Sequence, residues 1–168
     1  MTFDTFLALG TIALQIGILI TLIAWIAKAP FATWVAAHSG ILLCFIFTAA
    51  MLGSLTYSEI YDFAPCILCW YQRLAIFPIA FLSYTSNLAK SALLRLQVLI
   101  LASAGFAVSL YHNYTSIQRM SGVCGSDGVS CNTLYVFEFD YITIPMMAVT
   151  VLAAGILLSL LASSKAQK

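Results

Sequence analysis

Long apolar stretches separated by short polar punctuation dominate the chain. Five of them are long enough, at roughly 20 residues, for a helix to cross a bilayer. They run from Phe6 to Ala27, Val35 to Tyr57, Cys66 to Tyr84, Leu96 to His112 and Thr143 to Ala162. The pattern predicts five transmembrane helices. The fourth is the least clean, because Ser103 and Ser109 interrupt it. A short polar segment, Ser58 to Pro65, joins the second and third runs, and a long one, Asn113 to Ile142, joins the fourth and fifth. The long segment holds Gly122, Gly125 and Gly128, a turn-rich composition. Its end alternates Tyr135, Phe137, Phe139 and Tyr141 with Val136, Glu138 and Asp140. That end reads as a short strand or, by preference, as an aromatic anchor at headgroup level.

Composition agrees. The chain is 62% hydrophobic and 8% charged, with a mean hydropathy of +1.02. A soluble domain carries about a quarter charged residues, so too few polar groups exist here to cover a water-facing surface. The class is integral membrane protein. The net charge of +1, without a basic cluster, gives no reason to expect nucleic acid. No internal repeat or low-complexity segment stands out. The first apolar run has no basic residue ahead of it and exceeds the ~7–15 residues of a signal-peptide core. Ala27-Lys28-Ala29 offers a superficial cleavage site, but Pro30 follows at once. A retained anchor helix is expected.

Five spans place the termini on opposite sides. Lys28, Lys90, Arg95, Lys165 and Lys168 then share one side, which the positive-inside rule makes cytoplasmic. Arg119 and, at the membrane edge, Arg73 belong to the other, with all six acids: Asp4, Glu59, Asp62, Asp127, Glu138 and Asp140. Four of the five cysteines fall on this outer face, where disulfides persist. Cys66 and Cys69 form a C-x-x-C at the mouth of the third helix, and Cys124 and Cys131 lie in the long outer segment.

Pro65 suits the first position of a helix, which puts Cys66 and Cys69 in its first turns. Their i, i+3 spacing sets both sulfurs on one face, where the helix dipole favours a thiolate. The bland alternative is a static disulfide. Arg73 lies one turn deeper. It either snorkels to the headgroups or stands as a fixed charge beside Cys69, able to stabilise a thiolate or a carbonyl oxygen gaining charge. Gln72 could add a hydrogen bond or simply pack between helices. His112, at the outer end of the fourth run, matches the depth of Cys66 to Arg73 and could supply a hydrogen bond or a proton. It could equally be an ordinary interfacial histidine. Cys124 and Cys131 either staple their loop or act as a shuttle disulfide open to an external thiolate. Cys44, mid-span, reads as an inert buried thiol, and Ala49 with Gly53 as a small-residue pair that allows close helix packing. His38 falls on the cytoplasmic side and receives no role. Asn113-Tyr114-Thr115 matches a glycosylation sequon by pattern only.

Electrons entering the cysteines must leave. The chain has no dinucleotide fingerprint, no P-loop and no haem-attachment motif. A lipid-soluble two-electron acceptor remains: a quinone entering sideways between helices, beside Cys69 and Arg73 at the level of His112. Two other readings stay open. One is a non-enzymatic membrane subunit with structural disulfides, and the other is a four-thiolate zinc site, which the oxidising face disfavours.

Cys66-Ile-Leu-Cys69-Trp-Tyr-Gln-Arg73 resembles the signature of the DsbB family of disulfide bond formation proteins. Met51 to Ile60, the stretch through Pro65 to Arg73, and Ile142-Thr-Ile-Pro145 resemble its BdbC-type members more closely. The likeness covers roughly Ala36 to Ala162. The order of the pairs also fits, since the vitamin K epoxide reductase family has the reverse. The resemblance implies an all-α membrane protein, a four-helix bundle with one extra N-terminal helix. It implies reoxidation of a DsbA-like thioredoxin-fold thiol oxidase, with electrons passed to ubiquinone or menaquinone in a bacterial cytoplasmic membrane. By position, Cys124 would form the mixed disulfide with the partner and Cys131 would exchange with Cys66. Cys69 would engage the quinone, with Arg73, His112 and Gln72 around it, and no metal is implied. The corresponding division is 1–34 for the anchor helix and turn, 35–163 for the redox bundle and 164–168 for a cytoplasmic tail. Three departures stand out. The first helix has no counterpart in the four-helix members. The Cys124–Cys131 spacing is shorter than in the enterobacterial form. Gln72 stands where some members carry an acid.

Overall fold

The computed structural model of the chain describes residues 2–85, 91–118, 131 and 135–166. Cys124, the loop glycines Gly122, Gly125 and Gly128, and Lys90, Arg119, Asp127 and Lys168 lie outside the described residues. Five helices follow in order: α1 (Phe3–Ile26), α2 (Pro30–Glu59), α3 (Ile67–Thr85), α4 (Ala92–Ile117) and α5 (Ile144–Ala166). All five are long and apolar enough to cross a membrane. Two run well past the apolar stretches that predict them. α2 begins at Pro30, whose fixed φ suits a first helical position, and α4 gains a turn at each end. Helical hydrogen bonding continues into the headgroup layer, where apolar composition is no longer needed, so hydropathy alone underestimates these lengths.

Local chemistry sets the ends. Thr2 caps α1 by accepting from the Thr5 N–H, and Ser91 caps α4 by accepting from Leu94. Between α1 and α2 the chain reverses through Lys28, at φ 53°. The aromatic segment before α5 makes a tight turn rather than a strand. Glu138 and Ile142 exchange two backbone hydrogen bonds, of 3.0 and 2.8 Å. The turn they close passes through Phe139 and Asp140, both at positive φ. Tyr135, Phe137, Phe139 and Tyr141 are exposed, as an interfacial anchor requires.

α2, α3, α4 and α5 close a ring in which each packs on the next and α5 returns to α2, while α3 and α5 touch only slightly. Phe47, Leu43, Ile79, Val98, Leu152 and Leu161 fill its centre. Two glycines bring the helices together. A Cβ on Gly105 of α4 would lie 2.6 Å from Ala75 Cβ of α3, and one on Gly155 of α5 would lie 2.7 Å from Phe47 Cζ. Such contacts drive association in lipid, where the hydrophobic effect between helices is lost. α1 stands outside the ring and packs on α2 and α5. Gln15 fastens it: its Nε2 donates to Thr150 Oγ1 of α5 at 3.0 Å, and its Oε1 accepts from the Tyr141 hydroxyl at 3.1 Å. Gly53 of the expected small-residue pair does face α1, against Leu7. Ala49 and Gly53 both line a cavity.

Candidate redox site

The start of α3, the end of α4 and the segment leading to α5 converge at one end of the bundle. Pro65 precedes the helix, which begins at Ile67, so Cys66 stands at the cap position rather than inside the first turn. Its carbonyl accepts from the Trp70 N–H at 3.1 Å. Its sulfur accepts from the Cys69 N–H at 3.4 Å, as a capping serine oxygen would. The two sulfurs lie 3.0 Å apart as free thiols. Hydrogen bonding from Cys69 holds the Cys66 thiol well below the usual thiol range, aided by His112 against the opposing effect of burial. The negative charge of this dithiol therefore settles on Cys66, at the positive end of α3.

His112 ties the site together. It is 3% exposed, and that burial removes the ordinary interfacial-histidine reading. Gln72 Nε2 lies 3.0 Å from Nδ1. With that amide donating, the ring carries its proton on Nε2. Nε2 lies 3.2 Å from the Cys131 carbonyl and 3.8 Å from the Cys66 sulfur. Ser116, one turn further along α4, also donates to the Cys131 carbonyl, at 3.2 Å. Cys131 is disulfide-bonded and buried against Cys66 and Leu68. One imidazole thus bridges the two cysteine-bearing segments.

Arg73 is 9% exposed. Its Nε donates to Ser54 Oγ at 2.9 Å and its Nη2 to the Ser54 carbonyl at 2.8 Å, while its guanidinium stacks on Trp70 at 5.3 Å from the ring centroid. It is therefore a braced cation and does not snorkel. Sequence reasoning missed three residues here: Ser54, Ser116 and Tyr57. Their one signal was a polar group at a membrane-facing depth, which becomes informative only when the partner helix is known. The Tyr57 hydroxyl is buried beside the Asp4 carboxylate. Cys44 is free and only half-buried, not the fully buried thiol its mid-span position suggests, and it does not line the cavity.

Cys66, Cys69 and His112 place three donor atoms within 4.8 Å of one another, a set that could hold a soft metal ion. A four-thiolate zinc site would need a free Cys131 sulfur, and that sulfur is engaged in a disulfide. Below the cysteines opens a cavity of about 530 Å³, within the range of small-molecule sites. Cys69, Gln72, Arg73, His112 and Tyr57 line its polar end, and apolar residues of α1, α2 and α5 line the rest.

A free dithiol set against a buried disulfide-bonded cysteine, on a multi-pass helical bundle, has the elements of a membrane thiol–disulfide exchange site. The family model for disulfide bond formation protein DsbB matches residues 36–164. The chain belongs to the DsbB family. It is 36% identical over 131 residues to the SPbeta prophage-derived disulfide bond formation protein B of Bacillus subtilis, covering 76% of this chain and 88% of that one. It is 37% identical over 103 residues to disulfide bond formation protein C of the same organism, covering 59% and 73%. A protein of Oceanobacillus iheyensis named "Probable disulfide formation protein" is 40% identical over 103 residues, covering 59% and 70%. No solved structure matches. Membership supports a thiol–disulfide oxidoreductase role.

Proposed function

We propose that the protein reoxidises an extracytoplasmic thioredoxin-fold dithiol of the DsbA kind and delivers the electron pair to a membrane quinone. The observation that carries the reading is the continuity of three groups: the Cys131 segment, the Cys66–Cys69 dithiol and a largely apolar cavity ending at Cys69. In this scheme the partner's thiolate attacks Cys124 of a Cys124–Cys131 disulfide and frees Cys131. Cys131 attacks Cys66 of an oxidised Cys66–Cys69 pair and releases Cys69. The partner's second thiol resolves its mixed disulfide and leaves oxidised. Cys124 then attacks Cys131, restoring their disulfide and releasing Cys66. The net change is one partner dithiol oxidised and one Cys66–Cys69 disulfide reduced. A low thiol pKa makes a better leaving group, and Cys66 is the thiol released last.

A quinone, when bound, supplies an acceptor for two electrons and two protons. The cavity suits one: apolar along most of its length, with Arg73 and the buried Tyr57 hydroxyl at the cysteine end. Arg73, braced by Ser54, would hold a carbonyl oxygen and favour charge on it. Gln72 would fix the His112 ring, whose Nε2–H steadies Cys131 and faces Cys66. The dithiol gives up its two electrons and two protons and closes to a disulfide. The charge distribution supports an orientation with Lys28 and Arg95 cytoplasmic and the cysteines on the outer face of a bacterial cytoplasmic membrane.

The test is purified protein, a reduced thioredoxin-fold dithiol and a quinone, followed by loss of quinone absorbance. Wild type is expected to turn over and Cys69→Ser to stop completely. Turnover retained in Cys69→Ser would refute the scheme.

A further inference from the structure

The family match begins at residue 36, after α1 has ended, yet α1 supplies a full side of the cavity. Phe6, Leu7, Gly10, Thr11 and Leu14 line it, and their spacing is one face of a helix. Leu7 packs on Gly53 of α2, next to the Ser54 that braces Arg73. Gly10 lies three residues, about 4.5 Å of helix, further from the cysteines. A Cβ built on Gly10 meets nothing within 4 Å. It would point into open space at the cavity wall. On α2 the lining runs from Tyr57 to Phe45, about 18 Å of helix, so the space is a channel along the helices rather than a round pocket. Its cysteine end carries the buried Tyr57 hydroxyl and Arg73, and its far end is apolar.

We propose that α1 converts an open groove between α2 and α5 into a channel for the acceptor's hydrocarbon tail, with Gly10 leaving the gap through which the tail passes. The inference rests on the quinone reading above and adds a specificity element from outside the matched family region. Gln15 positions this wall, because its two hydrogen bonds hold α1 to α5 and to the turn before it.

The test is Gly10→Leu in the full chain, with Gly17→Leu as control. Gly17 also meets nothing within 4 Å but does not line the cavity. The probes are a benzoquinone with a ten-carbon tail and the same ring without it. Binding is read from quenching of tryptophan fluorescence, and KM and kcat from turnover. Gly10→Leu is expected to raise Kd and KM for the tailed quinone about tenfold more than for the tail-less ring, the loss of burying a few methylenes. Gly17→Leu keeps wild-type values. Equal affinity for the tailed quinone in Gly10→Leu and wild type overturns the inference, as does an equal loss for both probes. If wild type binds and reduces neither quinone, the quinone reading itself fails and takes the inference with it.

Discussion

At the scale of single residues, the reactivity of the site follows from where Cys66 sits. The Cys69 thiol hydrogen-bonds to its sulfur, His112 faces it and the Cys69 N–H donates to it at the start of α3, and all three favour its thiolate. A lowered pKa means the thiolate persists as pH falls, whereas an ordinary thiol near 8.5 loses it tenfold per unit below that value. In a Cys124→Ser/Cys131→Ser variant kept reduced, alkylation of Cys66 by iodoacetamide is therefore expected to hold its rate from about pH 8 to below about pH 6. A tenfold fall per unit over that interval would remove the lowered pKa from the account. The spacing of Cys66, Cys69 and Arg73 was legible in the sequence. The direction in which each is held was not. Arg73 reads as a neighbour of Cys69 along the helix, but its hydrogen bonds go to Ser54 on another element, and no local pattern encodes that partner.

At the scale of elements, the bundle depends on glycines where helices cross. Gly105→Ala would set a methyl 2.6 Å from Ala75 and 3.1 Å from Leu152, forcing α3 and α4 apart. The expected cost is about 1–3 kcal/mol of stability, measured by denaturant unfolding in detergent, with slower thiol exchange because α3 carries Cys66 and α4 carries His112. Gly17→Ala, facing open space, is expected to be neutral or to gain up to about 1 kcal/mol from helix propensity. A Gly105→Ala protein as stable as wild type would contradict the packing described. The existence of all five helices was legible, because an apolar run of this length has few other fates. Their ends were less so, since Pro30 and Ser91 act through backbone geometry and capping rather than hydropathy. The aromatic alternation before α5 allowed a strand. The turn at Phe139 and Asp140 prevails: among the described residues a single bridge, Glu138 with Ile142, closes it.

At the scale of the whole molecule, a four-helix ring carries the two redox segments at one end, and a fifth helix encloses the space beneath them. A common face for Cys66 and Cys131 could be argued from topology and charge, and the two residues meet at His112 at one end of the bundle. The cavity was anticipated only as a gap between helices. Its wall on α1 was invisible, because the first helix reads as a bare anchor and its small residues gain meaning only against α2. Electron transfer from the Cys131 segment to Cys66 beneath His112 is the central step of the proposed function. Disulfide mapping of a Cys69→Ser/Cys124→Ser variant tests that transfer most directly, since each remaining sulfur has lost its own partner. A Cys66–Cys131 bond is expected to form in high yield in the membrane. Cys66 and Cys131 both remaining free thiols under the same oxidising conditions would contradict the relay.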